Sequence, residues 1–386
     1  MIPLDLGVGL KPSALSKHMI LSLHIAGYRG FRKFEMGGLG RVNLLVGTNN
    51  SGKTSVLEAI ELLTSGGNPM SVWKILQRRG ETVTSVLPQG SPLELRPPPM
   101  EAEVCHLFNG HDVHPGSAFS LGSKNETAEP TVTVTVEEVP APSQDDSIAS
   151  PLGLALRIRS TVPLSDFLVH LGRNGGIVAL QLLRTTRLAV GERPLQVVTT
   201  DSLSSQALVA LWDKVALTPA ENLVLRALSF VDPNIVGIAT QSGRQSASFG
   251  TASRSGGFIL KLKGVEQPVP IGSMGDGMWR MLAMAIAITQ CRGGVLLVDE
   301  IDTGLHYTIM ADMWRLILGA AKEMDVQVFA TTHSFDCIQS LATVCQSDTE
   351  ANDTVTLQRI EAGKSKAIPY SEREIRVAAE RNIEVR

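Results

Sequence analysis

Apolar and polar positions near the N-terminus follow the rhythm of a strand, a loop and a helix. Residues 20–25 alternate at their start like a half-buried strand. Residues 41–46 form a short apolar run, typical of a buried strand, which ends at Gly47. From residue 54 to residue 63 the apolar side chains recur at helical spacing. The pattern therefore predicts strand, glycine loop and helix in that order.

The last third of the chain has a regular pattern in which helices and strands alternate. The predicted elements are a helix at about 277–290, a strand at 294–298, a helix at about 309–321 and a strand at 326–330. Such alternation favours an α/β fold with a mostly parallel sheet. In the tail, Ile375, Ala379 and Ile383 are spaced four residues apart, which predicts a helix that docks through one stripe.

Between about residues 65 and 270 the pattern is irregular, with proline clusters and a stretch rich in glycine, serine and arginine. Residues 131–136 alternate threonine with valine, which predicts a half-buried strand, and residues 202–228 fit a helical hairpin. No heptad pattern is sustained, so long coiled-coil arms are not expected. The expected organisation is a flexible leader at 1–18, a head at 19–346 with an insertion at 66–270, and a C-terminal strand and helix at 347–386.

Charge and composition narrow the classes of function. The chain of 386 residues carries 35 Lys and Arg against 38 Asp and Glu, a formal net charge of −3. This balance excludes a protein that coats nucleic acid through overall positive charge, although a local basic face is compatible with it. The most apolar stretch, residues 278–289, is interrupted by Arg280 and is shorter than the roughly 20 residues that span a bilayer. With four widely spaced cysteines, the composition predicts a cytoplasmic protein without a disulfide framework or a membrane span.

One loop carries a phosphate-binding pattern. Residues 47–54 read GTNNSGKT and satisfy G-x-x-x-x-G-K-[ST] between the predicted strand and the predicted helix. Glycines let the backbone wrap phosphate groups, and the N–H groups at the helix N-terminus face the negative charge. Lys53 is placed to reach the β- and γ-phosphate oxygens, and Thr54 to ligate Mg²⁺. The residues predicted to bind ATP in this loop are Asn49, Asn50, Ser51, Gly52, Lys53, Thr54 and Ser55.

Two later strands end in polar residues at what should be the same edge of the sheet. Residues 294–298 are apolar and are followed by Asp299 and Glu300, of which Asp299 would hold the metal and Glu300 would deprotonate the attacking water. Residues 326–330 lead into a Thr-Thr-His-Ser segment, so His333 is placed to reach a γ-phosphate. The predicted catalytic residues are Glu300, His333 and Lys53, and the predicted metal ligands are Thr54 and Asp299.

The three motifs together resemble ABC-class ATPase heads of the branch that includes RecF, the SMC proteins, and the ATPases of overcoming-lysogenization-defect (OLD) nucleases and related anti-phage systems. The resemblance rests on residues 47–54, on Asp299-Glu300 with Gly-Leu-His at 304–306, and on residues 331–334. It implies an ATPase that uses ATP and Mg²⁺, a P-loop NTPase fold with a mostly parallel core sheet, and an antiparallel N-terminal subsheet. Only 52 residues follow Ser334, so the Toprim nuclease of OLD proteins is not expected here.

The same resemblance assigns roles to a loop that precedes the acidic strand. Residues 272–277 correspond to the signature loop, in which Ser273 and Gly275 would contact the nucleotide held by the partner subunit. Asp302 would lie in the loop through which subunits touch. The loop is degenerate relative to the usual Leu-Ser-Gly-Gly-Gln, and Ile301 stands where this branch commonly has proline. The position of the glutamine loop stays open.

Three functions are compatible with these observations. The resemblance favours an ATPase that forms a homodimer or a higher oligomer around ATP and switches a separate effector protein, such as a nuclease, in anti-phage defence. The second is a RecF-like DNA repair ATPase, in which duplex DNA would contact the arginine-rich stretch from Arg157 to Arg193. The third is a nucleotide-gated scaffold with weak hydrolysis.

Overall fold

The computed structural model describes most of the chain. The described residues are 18–84, 100–140, 153–172, 174–179, 182, 193–200, 205–241, 257–347, 355–381 and 383. The predicted leader, apart from His18, lies outside the described residues.

The regular elements are as follows. The strands are β1 (Ser22–Tyr28), β2 (Phe31–Gly37), β3 (Val42–Val46), β4 (Thr82–Thr84), β5 (Met100–Glu103), β6 (Ala118–Lys124), β7 (Thr131–Glu138), β8 (Leu154–Thr161), β9 (Leu164–His170), β10 (Gly176–Val178), β11 (Leu195–Val198), β12 (Ile235–Gln241), β13 (Gly257–Leu262), β14 (Val269–Pro270), β15 (Val295–Val298), β16 (Gln327–Thr331), β17 (Val355–Arg359) and β18 (Ile368–Ser371). The α-helices are α1 (Lys53–Thr64), α2 (Pro69–Arg78), α3 (Ser205–Trp212), α4 (Pro219–Val231), α5 (Asp276–Thr289), α6 (Tyr307–Glu323), α7 (Phe335–Ser347) and α8 (Glu372–Glu380).

A mostly parallel sheet lies at the centre of the described fold. Its strand order is β11–β15–β16–β3–β17–β18, in which β18 alone of these six is antiparallel to its neighbour. The predicted strands at 41–46, 294–298 and 326–330 are confirmed as β3, β15 and β16. Because these three strands are parallel neighbours, their carboxyl ends meet at one edge of the sheet.

Successive residues of the central strands pack into two different apolar layers, as the period of two in a strand requires. Leu44 of β3 and Leu296 of β15 belong to the layer covered by helices α3 to α8. Leu45 of β3 and Leu297 of β15 face the opposite layer, which also contains α1 and α2. Strands buried on both faces read as continuous apolar runs, which is why the sequence shows them so clearly.

The second layer is closed by an antiparallel sheet with the order β2–β1–β6–β7–β8–β9. The alternating strand predicted at 131–136 is confirmed as β7, and its valines Val132, Val134 and Val136 are buried against α1 and its neighbours. The predicted antiparallel subsheet that follows the N-terminal strands is therefore present. The chain between α1 and α5 also supplies β11 at the edge of the core sheet.

Three of the predicted helices match the structure within two residues at their ends: α1, α5 and α6. The predicted hairpin at 202–228 corresponds to α3 and α4, which pack on α5 and α6. In the described part of the chain, no helix is long and apolar enough to cross a membrane.

The C-terminal helix docks through a stripe that differs from the predicted one. Ile375 is buried and Ala379 is partly buried against the core, as expected, but Ile383 is 50% exposed. The helix ends at Glu380, so Ile383 is no longer on its apolar face and Ala378 occupies the buried position instead. Sequence spacing alone does not show where a helix ends when no glycine or proline stops it.

Candidate active site

The loop at residues 47–52 wraps tightly between β3 and α1. Gly47 has a φ of 148°, and a Cβ there would lie 2.2 Å from the carbonyl oxygen of Ile360. A Cβ on Gly52, where φ is 99°, would lie 2.3 Å from the ring of Phe31. Asn50 also has a positive φ, of 59°, a conformation that asparagine tolerates better than most residues. Only glycine fits at the two ends of this loop, which explains the spacing of the motif.

The start of α1 is suited to an anion. No side chain caps the helix N-terminus at Gly52, and its first turn contains no acidic residue. The hydroxyl of Ser51 is buried without a hydrogen-bond partner among the described residues. Backbone N–H groups at a helix N-terminus and an unpaired buried hydroxyl together fit the phosphate chain of a nucleotide.

Lys53 points back over this loop. Its ammonium group donates hydrogen bonds to the carbonyl oxygens of Gly47, at 2.8 Å, and Thr48, at 2.9 Å. Partial burial lowers the pKa of Lys53, and the nearby carboxylates of Asp299 and Glu300 act in the opposite direction. The cation is therefore held at the loop and faces the two acids that end β15.

The structure brings Thr54 and Asp299 together, as the sequence predicts for a metal site. The Thr54 hydroxyl lies 3.2 and 3.3 Å from the two carboxylate oxygens of Asp299. Thr331, at the end of β16, donates a 2.6 Å hydrogen bond to Oδ1 of Asp299. A hydroxyl and a carboxylate are oxygen ligands of the kind that Mg²⁺ prefers, so these groups fit that ion.

Glu300 and His333 lie on the outer side of the same cluster. Oε1 of Glu300 is 3.8 Å from Nδ1 of His333, and Oε2 accepts a 3.3 Å hydrogen bond from Thr303. Glu300 has a positive φ of 46°, and its N–H donates to the Thr331 hydroxyl at 2.8 Å. A non-glycine residue with positive φ costs energy and marks a place where the surrounding structure imposes the backbone direction.

The predicted signature loop lies at the exposed start of α5. Ser273 and Gly275 are both exposed, and Gly275 has a φ of 88° with open space around it. The next turn packs closely on the loop that follows Glu300, since a Cβ on Gly277 would lie 3.0 Å from the carbonyl oxygen of Gly304. Asp302 in that loop accepts a 2.6 Å hydrogen bond from Thr332.

Thr331 and Thr303 were not assigned roles by sequence reasoning. Thr331 bridges Asp299 and the backbone of Glu300, and it closes the polar cluster between the ends of β15 and β16. In the sequence, Thr331 is signalled by its place at the end of an apolar run and by its membership of the Thr-Thr-His-Ser segment. Which groups of β15 the Thr331 side chain contacts depends on the register between β15 and β16, and the register cannot be read from the sequence.

The arginine-rich stretch does not form one continuous basic face in the described residues. Arg157 and Arg159 both pair with Asp166 of the adjacent strand. Arg193 donates to the backbone carbonyl of His18 at 2.6 Å and lies against the core sheet. The other three arginines, Arg173, Arg184 and Arg187, lie outside the described residues.

Two family profiles match the chain on either side of its middle region. The profile described as "AAA ATPase domain" matches residues 19–89. The profile described as "AAA domain, putative AbiEii toxin, Type IV TA system" matches residues 194–336. The first match contains the phosphate loop, and the second contains Asp299, Glu300 and His333.

Individual proteins are similar over most of the chain at low identity. An ATP/GTP phosphatase of Helicobacter pylori is 23% identical over 360 residues, which are 87% of this chain and 91% of that protein. An uncharacterized protein of Methanocaldococcus jannaschii is 40% identical over 60 residues, 15% of this chain and 27% of that protein.

Solved SMC heads are similar at 13 to 14% identity. The SMC head bound to the C-winged helix domain of ScpA has a TM-score of 0.45 and 13% identity, covering 91% of this chain and 97% of that one. The SMC head domain from Thermotoga maritima has a TM-score of 0.41 and 14% identity, covering 91% and 98%.

The predicted α/β fold class is confirmed: a mostly parallel core sheet carries the P-loop between β3 and α1, and an antiparallel subsheet contains the N-terminal strands. The glycine loop follows β3 and opens α1, and the acidic pair follows the parallel strand β15 at the same edge. With its two AAA matches, the chain is an enzyme that hydrolyses ATP.

Proposed function

We propose that this chain is an ATP-hydrolysing head that forms a dimer around Mg²⁺-ATP and thereby switches a separate effector protein, with a role in anti-phage defence. The observation that carries the ATP-hydrolysis part of the proposal is a cluster beside Lys53 and Glu300, in which Thr54 of α1, Asp299 after β15 and Thr331 at the end of β16 meet. These groups are what phosphoryl transfer to water requires.

In this proposal each side chain has one role. The N–H groups at the start of α1 and the ammonium of Lys53 bind the phosphates. Thr54 and Asp299 would hold Mg²⁺, which would supply positive charge next to the phosphate oxygens. Glu300 orients a water molecule and accepts its proton, and His333, 3.8 Å away, contacts the γ-phosphate side of the site. The H. pylori relative named an ATP/GTP phosphatase supports the same reaction.

The proposed dimer is supported by the exposed turn at Ser273 and Gly275. This turn has a glycine with positive φ, open space around it and a helix N-terminus behind it, which suit a phosphate brought by a second copy of the chain. The first turn of the same helix also carries the exposed acid Asp276, which opposes an anion there. ATP then lies between two surfaces, and hydrolysis removes the γ-phosphate contacts that hold them together. A ligand shifts an equilibrium only through such differential contacts.

The effector and the defence role rest on the resemblance of the three motifs to anti-phage ATPases. Direct DNA binding has less support, because Arg157 and Arg159 already share Asp166 and Arg193 contacts backbone carbonyls. The effector is accordingly a separate protein that reads the nucleotide state of the dimer.

The test of the catalytic assignment is Glu300→Gln, which keeps the size of the side chain and removes its basicity. We expect kcat for ATP hydrolysis to fall about 100- to 10,000-fold while ATP affinity is retained, because general-base catalysis is of that size. Phosphate release and binding of a fluorescent ATP analogue provide the two readouts. Glu323→Gln, an exposed site on α6, is the matched control. A Glu300→Gln enzyme that hydrolyses ATP at the wild-type rate would refute the assignment.

A further inference from the structure

Arg280 is a charged side chain placed almost entirely inside the protein. It lies on α5 at 2% exposure and is among the largest fully buried side chains of the described residues. Lys and Arg are rarely this buried unless paired. The chemistry of its partners therefore decides what it does.

The partners of Arg280 are backbone carbonyl oxygens at the edge of the active site. One amino group of its guanidinium donates to the carbonyls of Asp299 and Glu300, each at 2.7 Å. The other amino group donates to the carbonyl of Thr199, which directly follows β11. The guanidinium thus ties α5 to the carboxyl ends of two neighbouring parallel strands.

These contacts fix the backbone that carries the proposed catalytic base. The N–H of Glu300 is held by the Thr331 hydroxyl, and its carbonyl is held by Arg280. Between these two contacts Glu300 has a φ of 46°, which glutamate does not favour. A backbone held on both sides can keep this conformation, and the conformation sets the direction in which the carboxylate leaves the strand.

The positive charge acts at the same place. Burial lowers the pKa of Arg280, and the carboxylates of Asp299, Asp302 and Glu300 act to raise it. Since a guanidinium stays protonated in proteins, Arg280 supplies a fixed positive charge beside three acids.

We propose that Arg280 is a positioning residue for ATP hydrolysis, which acts through the carbonyls of Asp299 and Glu300 to hold the Glu300 carboxylate in its working direction. It does not contact the nucleotide. The inference rests on the proposed role of Glu300 as the base, and it adds a residue whose side chain lies behind the reacting groups.

The test compares Arg280→Met, which keeps the bulk but loses the planar fork and the charge, with Arg280→Lys, which keeps the charge. We expect Arg280→Met to lower kcat about 10- to 100-fold, a loss typical of a catalytic group that is displaced by about an ångström. KM for ATP should stay within about threefold, because the phosphate loop is untouched. The kcat of Arg280→Lys should lie between that of the wild type and that of Arg280→Met. Arg193→Met is the matched control, since Arg193 is partly buried and also donates to backbone carbonyls, those of His18 and Gly293, away from the active site.

A double variant separates positioning from general support of the fold. If Arg280 acts through Glu300, adding Arg280→Met to Glu300→Gln should cause little further loss of kcat. Independent losses that multiply would overturn the proposal, as would wild-type kcat in both Arg280 variants or a rise in KM equal to the fall in kcat. Thermal unfolding of Arg280→Met and Arg280→Lys is measured in parallel. If both of these variants are unfolded at the assay temperature, the role of Arg280 is in folding and the proposal is overturned. Full activity of Glu300→Gln would refute the role of Glu300 itself, which is a different result from full activity of Arg280→Met.

Discussion

At the scale of single residues, Gly47 sets the path of the phosphate loop. Its φ of 148° belongs to a region that is essentially restricted to glycine, and an added Cβ would meet the Ile360 carbonyl at 2.2 Å. We expect Gly47→Ala to displace the loop and abolish ATP binding. Gly264→Ala is the control, because Gly264 also has a positive φ, of 79°, but open space around it, so it should cost only about 1–2 kcal/mol of stability. Calorimetric titration with an ATP analogue measures the difference, and equal behaviour of the two variants would contradict the steric argument.

The role of Arg280 could not be predicted from the sequence. In the sequence it interrupts an apolar stretch, and a charge in such a place has no visible partner. In the structure the partners are carbonyl oxygens, which every residue possesses and which no pattern of side chains reports. That Lys53, Thr54, Asp299 and Glu300 lie near one another could be predicted, because their side-chain types and their places after strands are visible in the sequence.

At the scale of elements, a buried ionic network ties the β1–β2 turn to α1, the helix that opens with the phosphate loop. Glu58 on α1 accepts from Arg29 at 2.8 Å and from Arg79 at 2.7 Å, and Arg29 also pairs with Glu81 at 2.7 Å. The Glu58 side chain is 6% exposed. The network joins the antiparallel sheet to the helix through a buried central pair, Arg29 and Glu58, whose outer partners Arg79 and Glu81 are partly exposed.

We expect Glu58→Ala to destabilise the fold by about 3–5 kcal/mol, because it leaves two guanidinium groups facing each other without their shared acid. Asp166→Ala is the matched control: Asp166 also accepts from two arginines, but its side chain is 45% exposed, so its loss should cost at most about 1 kcal/mol. Urea unfolding curves of the two variants give the comparison. Similar losses in the free energy of unfolding for the two variants would contradict the argument that burial makes the Glu58 ion pairs stronger than those of Asp166.

Elements with strong periodicity could be predicted, and elements defined by long-range pairing could not. The apolar runs of β3, β15 and β16 and the helical spacing of α1 and α6 have local causes. The edge strand β11 is recognisable only through its parallel pairing with β15, about 100 residues later in the chain. The helix α2 was missed although Asn68 caps it and Pro69 begins it, a local signal that its flanking glycines obscured.

At the scale of the whole molecule, two apolar layers share one central sheet, and the nucleotide motifs converge at one of its edges. The sequence predicted this convergence because motifs that follow parallel strands must meet there. In the mechanism that we propose, one chain supplies the phosphate loop, the metal-binding pair and the base. The turn at Ser273 and Gly275 is exposed, and its proposed role is to contact a nucleotide that a second copy of the chain presents.

The most direct test of the account is the mass in solution of the Glu300→Gln variant, measured by light scattering with and without Mg²⁺-ATP. The variant keeps ATP intact, so a nucleotide-held dimer should accumulate and the monomer mass should double when ATP is added. Ser273→Arg in the same background should prevent the doubling, while Thr133→Arg, at an exposed position on β7, should leave it unchanged. A variant that binds ATP and stays monomeric would contradict the account.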